Sequence, residues 1–266
     1  MGTPDHAPGA RVEFRGVGVR YGDAAAPAVA GVDLAIAAGT FSVLLGPSGC
    51  GKSSLLRTIN RLVEPTSGTV LIDGVDVRDS DPTTLRRAIG YAIQAVGLFP
   101  HYSVARNIAV VPGLLGWDRA RIDARVDELL GLMKLEPARY RDRLPRALSG
   151  GEAQRVGVAR ALAAEPRVLL MDEPVAAVDA IVRASLQDEI ARVHRELHTT
   201  IVFVTHDVDE ALRLADRVVV MNAGRVVQDA PPAELLAAPA DDFVRSLVGV
   251  DAETRQLTLE RPLIER

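Results

Sequence analysis

The run Gly46-Pro47-Ser48-Gly49-Cys50-Gly51-Lys52-Ser53 fits the pattern G-x-x-x-x-G-K-[ST] at every position. Glycines at 46, 49 and 51 let backbone N–H groups converge on phosphate oxygens with no Cβ in the way. A helix opening at Lys52 adds partial positive charge at its N-terminus. In this arrangement Lys52 reaches the terminal phosphates and the Ser53 hydroxyl ligates Mg²⁺. A ligand-free glycine-rich turn is the bland alternative; the apolar strand before it and the helix after it weigh against that. Of the 31 Lys and Arg residues only two are lysines, Lys52 and Lys134. A chain that nearly always chooses the planar guanidinium fork keeps a thin point charge at 52, as a site too narrow for the fork would require.

Val168-Leu169-Leu170-Met171-Asp172-Glu173 puts two carboxylates at the end of an apolar run, the edge at which open α/β sheets bind ligands. Asp172 suits a Mg²⁺ ligand, and Glu173 a general base or water-orienting group; a strand followed by a polar turn is the alternative. His206 ends Ile201–Thr205, a second apolar run. It is either a phosphate contact at the same edge or a structural histidine, with Asp207 capping the next helix. Gln94 ends Ile89–Ile93 and offers an amide to metal or water, or is an ordinary turn residue. Tyr21 either stacks on a base or packs in the core. Leu148-Ser149-Gly150-Gly151-Glu152 is the fifth feature. Ser149-x-x-Glu152 is a capping box opening a helix to about residue 164. Capping explains the serine and the acid but not the two glycines, which cost stability in a first turn and suit backbone laid bare for an anion.

The elements that position these residues alternate. Strands are expected at 11–21, 32–37, 41–45, 69–72 and 89–93, with helices at 52–62 and 85–88. From 103 to 165 the pattern turns helical, with Ile122, Val126, Leu129, Leu130 and Met133 on one face of a helix over 118–135. Apolar runs at 168–171, 201–204 and 218–221 then alternate with helices at 180–197 and 207–214, and a last helix opens at Pro231-Pro232. This predicts an α/β fold, a mostly parallel sheet with helices on its faces and a helical insert.

Composition narrows the classes further. The 266 residues are 48% hydrophobic and 4% aromatic, with a formal charge of −4. That charge gives no basic footprint for nucleic acid. No apolar run approaches the roughly 18 residues of a membrane span, and Met1–Arg11 lacks the layout of a signal peptide. A cytoplasmic location is expected, with membrane action only through a spanning partner. Cys50 is the one cysteine, which excludes an internal disulfide and reads as a loop residue near phosphate rather than a nucleophile.

Over residues 11–248 the chain resembles the ATP-binding subunits of ABC transporters. The order Tyr21, P-loop 46–53, Gln94, 148–152, Asp172-Glu173, Asp179 and His206 matches that family. The resemblance implies a P-loop ABC ATPase fold: a RecA-like core, an antiparallel N-terminal β part and a helical subdomain inserted at about 100–165. It implies ATP and Mg²⁺, with ATP on Tyr21, Gly46, Pro47, Ser48, Gly49, Cys50, Gly51, Lys52, Ser53 and Ser54. Mg²⁺ would sit on Ser53, Gln94 and Asp172, with Glu173, His206 and Gln94 catalytic. Two subunits would pair head to tail, so that Leu148, Ser149, Gly150, Gly151 and Glu152 meet the partner's ATP in trans and Asp179 makes a dimer contact. A groove near Gln94 and the helical insert would take the membrane permease on the cytoplasmic face, with a substrate-binding protein engaged indirectly and no nucleic acid.

Thr58–Gly68, Gly90–Gln94, Gly97–His101 and Leu114–Asp118 are similar to the quaternary-amine and osmoprotectant importers (glycine betaine, carnitine, choline). Three departures stand out. Glu152 replaces the commoner Gln. Val175–Asp179 departs from Phe-Gly-Ala-Leu-Asp, and Ala180 replaces Pro. The tail 249–266 is expected to hold no CBS modules. Competing readings are another ABC transporter subunit for amino acids or lipids, a soluble ABC ATPase working on nucleic acid or ribosomes, and a P-loop kinase or GTPase. One cassette, a short insert and net negative charge disfavour the second; the 148–152 stretch disfavours the third.

Overall fold

A computed structural model describes residues 8–93, 97–175 and 179–249. In chain order these begin with β1 (Val12–Val19), β2 (Val29–Ile36), β3 (Phe41–Leu45), α1 (Lys52–Ile59), β4 (Ser67–Ile72) and β5 (Val75–Asp76). Next come α2 (Pro82–Ala88), β6 (Ile89–Ile93), α3 (Val104–Ile108), α4 (Val110–Leu114), α5 (Arg119–Leu132), α6 (Pro137–Tyr140) and α7 (Gly150–Leu162). β7 (Val168–Asp172), α8 (Ala180–Leu197), β8 (Thr200–Thr205), α9 (Val208–Leu214), β9 (Arg217–Asn222), β10 (Arg225–Ala230), α10 (Pro232–Ala237) and α11 (Asp242–Val248) complete it.

The chain gathers into two compact units. Among the described residues, one is Ser80–Ile201 with residues 8–10; the other is Arg11–Asp79 with residues 202–249. β8 begins in the former and continues into the latter. In the Arg11–Asp79 unit an antiparallel sheet runs β2-β1-β4-β5. β3 pairs parallel with β9, and β10 closes antiparallel on β9. Every residue of β3 is buried, which is why its sequence is an apolar run with no alternation. Phe14, Ile36, Leu44, Leu55 and Ile59 are fully buried in this unit, and the Phe41 and Phe203 rings lie 5.8 Å apart.

In the Ser80–Ile201 unit β6 pairs parallel with β7, Ile93 opposite Asp172. Between them the described residues are helical, as the loss of strand pattern after 103 predicts. α5 is capped by Asp118, whose Oδ1 accepts the Arg121 N–H at 2.9 Å, and buries Val126, Leu129 and Leu130. Met133 is buried just past its end, while Ile122 is only half-buried.

β3, β6 and α8 fall at the predicted bounds; most others shift by one to three residues. β1 stops at Val19, short of Tyr21. α3, α4 and α6 are too short to register as a period. α11 and the edge strand β10, half-exposed along most of its length, were not expected.

Candidate functional site

β3 delivers the chain into the phosphate loop and α1 receives it. The turn between them demands glycine. Gly46 has φ 156° and a Cβ there would lie 2.2 Å from the Met221 carbonyl oxygen; Gly51 has φ 106° and its Cβ would lie 2.2 Å from the Ala28 oxygen. Gly49 faces open space, leaving bare backbone on the outer side of the loop. Lys52 is 4% exposed. Its Nζ donates to the Gly46 and Pro47 carbonyl oxygens at 2.8 and 2.9 Å and lies 3.8 Å from Cys50 Sγ. The loop thus encloses the ammonium. Cys50 is buried. Ser48 and Gly49 are exposed on the loop, and Ser53 lies next to Lys52 on the first turn of α1.

Tyr21 is 51% exposed, which removes the core reading. It lies two residues past β1, and its hydroxyl is 3.0 Å from Ser54 Oγ, tying the ring to the helix that opens at Lys52. In the same unit His206 is exposed just after β8. Asp207 caps α9 as expected, Oδ1 accepting from Asp209 N and Glu210 N at 2.9 and 3.2 Å. Thr205 Oγ1 donates to Glu210 Oε2 at 2.6 Å and accepts from Asp207 N at 3.0 Å, which fixes the backbone on both sides of His206.

The other candidates belong to the Ser80–Ile201 unit. Asp172 ends β7, 5% exposed, and the Tyr91 hydroxyl is 3.4 Å from its Oδ2. Glu173 has φ 49°, a left-handed conformation that is uncommon for a non-glycine residue and typical of sites where function holds the backbone. Gln94 falls outside the described residues. Asp179 caps α8, Oδ1 accepting from Ile181 N and Val182 N at 3.1 and 3.0 Å.

The capping box at Ser149 forms in both directions: Glu152 N donates to Ser149 Oγ at 3.3 Å and Ser149 N donates to Glu152 Oε2 at 2.7 Å. Glu152 also accepts the Tyr140 hydroxyl at 2.5 Å, a partner that sequence spacing did not signal. The Tyr140 hydrogen bond, then the Ser149 N–H, holds the Glu152 carboxyl below its ordinary pKa, and the same bond raises that of Tyr140. The two glycines differ. Gly150 has nothing within 4 Å of an added Cβ, whereas at Gly151 the Cβ would lie 2.3 Å from Val182 Cγ1 on α8. Gly151 therefore has a packing reason of its own, and only Gly150 keeps bare backbone as its explanation. Leu148 is half-buried beside them.

A cleft of about 340 Å³ in this unit is lined by Arg86, Arg87, Gly90, Tyr91, Phe99 and Arg160, among others. Arg160 donates to the Gly97 carbonyl at 2.7 Å, and burial lowers its pKa. Phe99, Leu114 and Leu115 are exposed apolar side chains of the insert.

Residues 29–176 match the family described as ABC transporter. The chain is 55% identical to the glycine betaine uptake system ATP-binding protein YehX of Escherichia coli, over 90% of this chain and 76% of that protein. It is 51% identical to the glycine betaine/carnitine/choline transport ATP-binding protein OpuCA of Bacillus subtilis, over 90% of this chain but only 62% of that protein. Among solved structures it is similar to a dimeric ATP-binding cassette in a post-hydrolysis state bound to ADP and Pi, with a TM-score of 0.73 and 32% identity over 83% of this chain and 98% of the other.

Proposed function

The chain belongs to the ABC transporter family, and we propose that it is the ATP-hydrolysing, energy-coupling subunit of an importer for quaternary-amine osmoprotectants such as glycine betaine, choline or carnitine. The observation that carries this is the pairing, in one chain, of an enclosed P-loop lysine with a capped helix start whose Gly150 faces open space. The first suits the phosphates of this subunit's own ATP. The second suits the γ-phosphate of a partner's ATP in a head-to-tail dimer. The solute class rests on the relatives' named cargoes.

In this reading Lys52 exchanges its two loop carbonyls for β- and γ-phosphate oxygens, and the loop N–H groups hold the rest of the triphosphate. Tyr21 supplies a flat apolar face to the base. Among the described residues no group of three or more His, Cys, Asp or Glu side chains forms a cage for a metal. The oxygen donors Ser53 and Asp172 fit Mg²⁺, which completes its shell with phosphate oxygens and water. They would hold it, with Gln94; bound there, it would neutralise charge on the phosphates. Glu173 orients and deprotonates the attacking water, while His206 steadies the γ-phosphate. Ser149 and Gly150 donate to the same phosphate from the partner subunit, so hydrolysis requires pairing.

No helix among the described residues is long and apolar enough to cross a membrane. Membrane action then runs through a permease at the cytoplasmic face, whose coupling segment fits the cleft between Arg86, Arg87 and Arg160. Uptake of radiolabelled glycine betaine, choline and carnitine in cells lacking this subunit tests the solute. Loss of uptake of at least one, restored by the native gene and not by a Lys52→Ala copy, is expected. Unimpaired uptake of all three refutes the solute class.

A further inference from the structure

Glu189 is a charged group that the nucleotide chemistry leaves unused. Its side chain is 0% exposed, and Arg155 Nε and Nη2 donate to its two oxygens at 2.8 and 3.0 Å. The Ser185 hydroxyl bridges the pair, donating to Glu189 Oε1 and accepting from Arg155 Nη2, each at 3.1 Å. Lys134 Nζ approaches Oε1 to 3.6 Å, which gives the chain's second lysine a structural place.

A buried ion pair is weak evidence for stability, because apolar residues of similar volume often replace it without loss; its best-attested use is to fix register. The register here is that of α7 on α8. Positions 151 and 155 lie one turn apart on one face of α7, and 182, 185 and 189 share one face of α8. Gly151 meets Val182, and Arg155 meets Ser185 and Glu189. Contacts that advance together along both sequences mean that the helices run parallel, with both N-termini at one end. Parallel helix dipoles side by side repel, so a cross-link has work to do. The two starts it holds together are the Ser149 cap with Gly150, and the Asp179 cap with Ile181, which is 85% exposed.

We propose that Arg155 and Glu189 are a positioning pair. They fix α7 against α8 so that the Ser149-Gly150 turn and the Asp179 cap are presented to a partner subunit as one rigid piece. This rests on the head-to-tail reading and adds that the two trans-acting motifs are set by one ion pair that joins the helices they open.

The test replaces the pair by Arg155→Met with Glu189→Leu, and separately swaps the charges with Arg155→Glu and Glu189→Arg. The apolar double variant keeps the native Tm or exceeds it, and its P-loop binds nucleotide within about twofold of native, as for sites that share no partner. Hydrogen exchange rises at Gly150–Ala153 and Ala180–Arg183. Its kcat falls at least about tenfold with KM unchanged, a fraction of the roughly 10²-fold that a misplacement of about 1 Å costs. The charge-swapped variant recovers part of that loss. A native kcat in the apolar variant overturns the proposal, whatever its exchange. ATP-driven dimerisation of Glu173→Gln, run in parallel, separates the two readings. A monomer there under saturating ATP sinks the head-to-tail reading, and the positioning pair with it. A dimer there, with an apolar variant that turns over normally, sinks the positioning pair alone.

Discussion

Gly150 and Gly151 are adjacent in sequence and should respond to the same methyl group in opposite ways. At Gly151 an alanine Cβ would lie 2.3 Å from Val182 Cγ1 and 3.5 Å from its Cβ. Valine in a helix is nearly confined to one χ1 rotamer, so relief requires the two helices to part. Overpacking of this kind costs about 1–3 kcal/mol. In a chain of this length that lowers Tm by roughly 2–12 °C. At Gly150 the added Cβ meets nothing within 4 Å, and its φ is not among the positive values. Alanine there is tolerated by the isolated subunit and stabilises it by up to about 1 kcal/mol through helix propensity. The same methyl stands where a partner's γ-phosphate must approach the backbone N–H. Holding that donor off by about 1 Å costs on the order of 10²-fold in turnover. The assay is a pair of measurements on each variant: Tm without nucleotide, and kcat at saturating MgATP. Gly150→Ala keeps or raises its Tm and loses turnover. Gly151→Ala loses Tm, and Val182→Ala added to it restores stability, a coupling read by the double-mutant cycle. Normal turnover in Gly150→Ala would refute the assignment of that backbone to phosphate. Equal Tm losses in the two single variants would refute the geometry that separates them.

Three further outcomes are expected. Lys52→Ala abolishes ATP-dependent turnover; mixed with Ser149→Arg, each heterodimer keeps one site with both partners native, so activity reappears on titrating one inactive variant into the other, and inactivity at all ratios refutes sharing in trans. Glu173→Gln binds ATP, stops hydrolysing and accumulates as a dimer in size-exclusion chromatography; unchanged hydrolysis removes Glu173 as the base. The Glu152 carboxyl is held below its ordinary pKa by Tyr140 and Ser149, so its contribution is present above the ordinary carboxylate range and is lost as pH falls through the folded value. The native protein therefore loses Tm on acidification more steeply than Glu152→Gln, and parallel profiles would show that this carboxylate contributes nothing.

The strands that carry the site were legible because burial on both faces leaves a signature in residue type. β3 and β7 read as unbroken apolar runs, and the glycine loop after the one and the carboxylates closing the other are local in sequence. The capping box at Ser149 and the cap at Asp207 were legible for the same reason, since cap and capped residues lie within three positions. Partners brought from elsewhere left no such trace. Tyr140 reaches Glu152 from α6, a helix of one turn, and nothing in the spacing of twelve residues announces it. Val182 reaches Gly151 across thirty-one residues, which is why two glycines of different purpose looked like one motif.

Asp179 carries this distinction to its sharpest point. As a dimer contact it was inferred from a family pattern that the chain departs from on both sides, with Val175 before it and Ala180 in place of proline. The cap it makes on Ile181 and Val182 supplies a second reason for an aspartate there, independent of any partner. Proline at 180 would preset the first helical turn through its fixed φ; with alanine in that place, the cap has more of the helix start to hold. Asparagine accepts the same two N–H bonds as aspartate and keeps most of the capping energy, but it carries no charge. Asp179→Asn therefore separates the roles. A variant with native Tm and weakened ATP-driven dimerisation assigns the charge to the partner, whereas native dimerisation leaves Asp179 a cap.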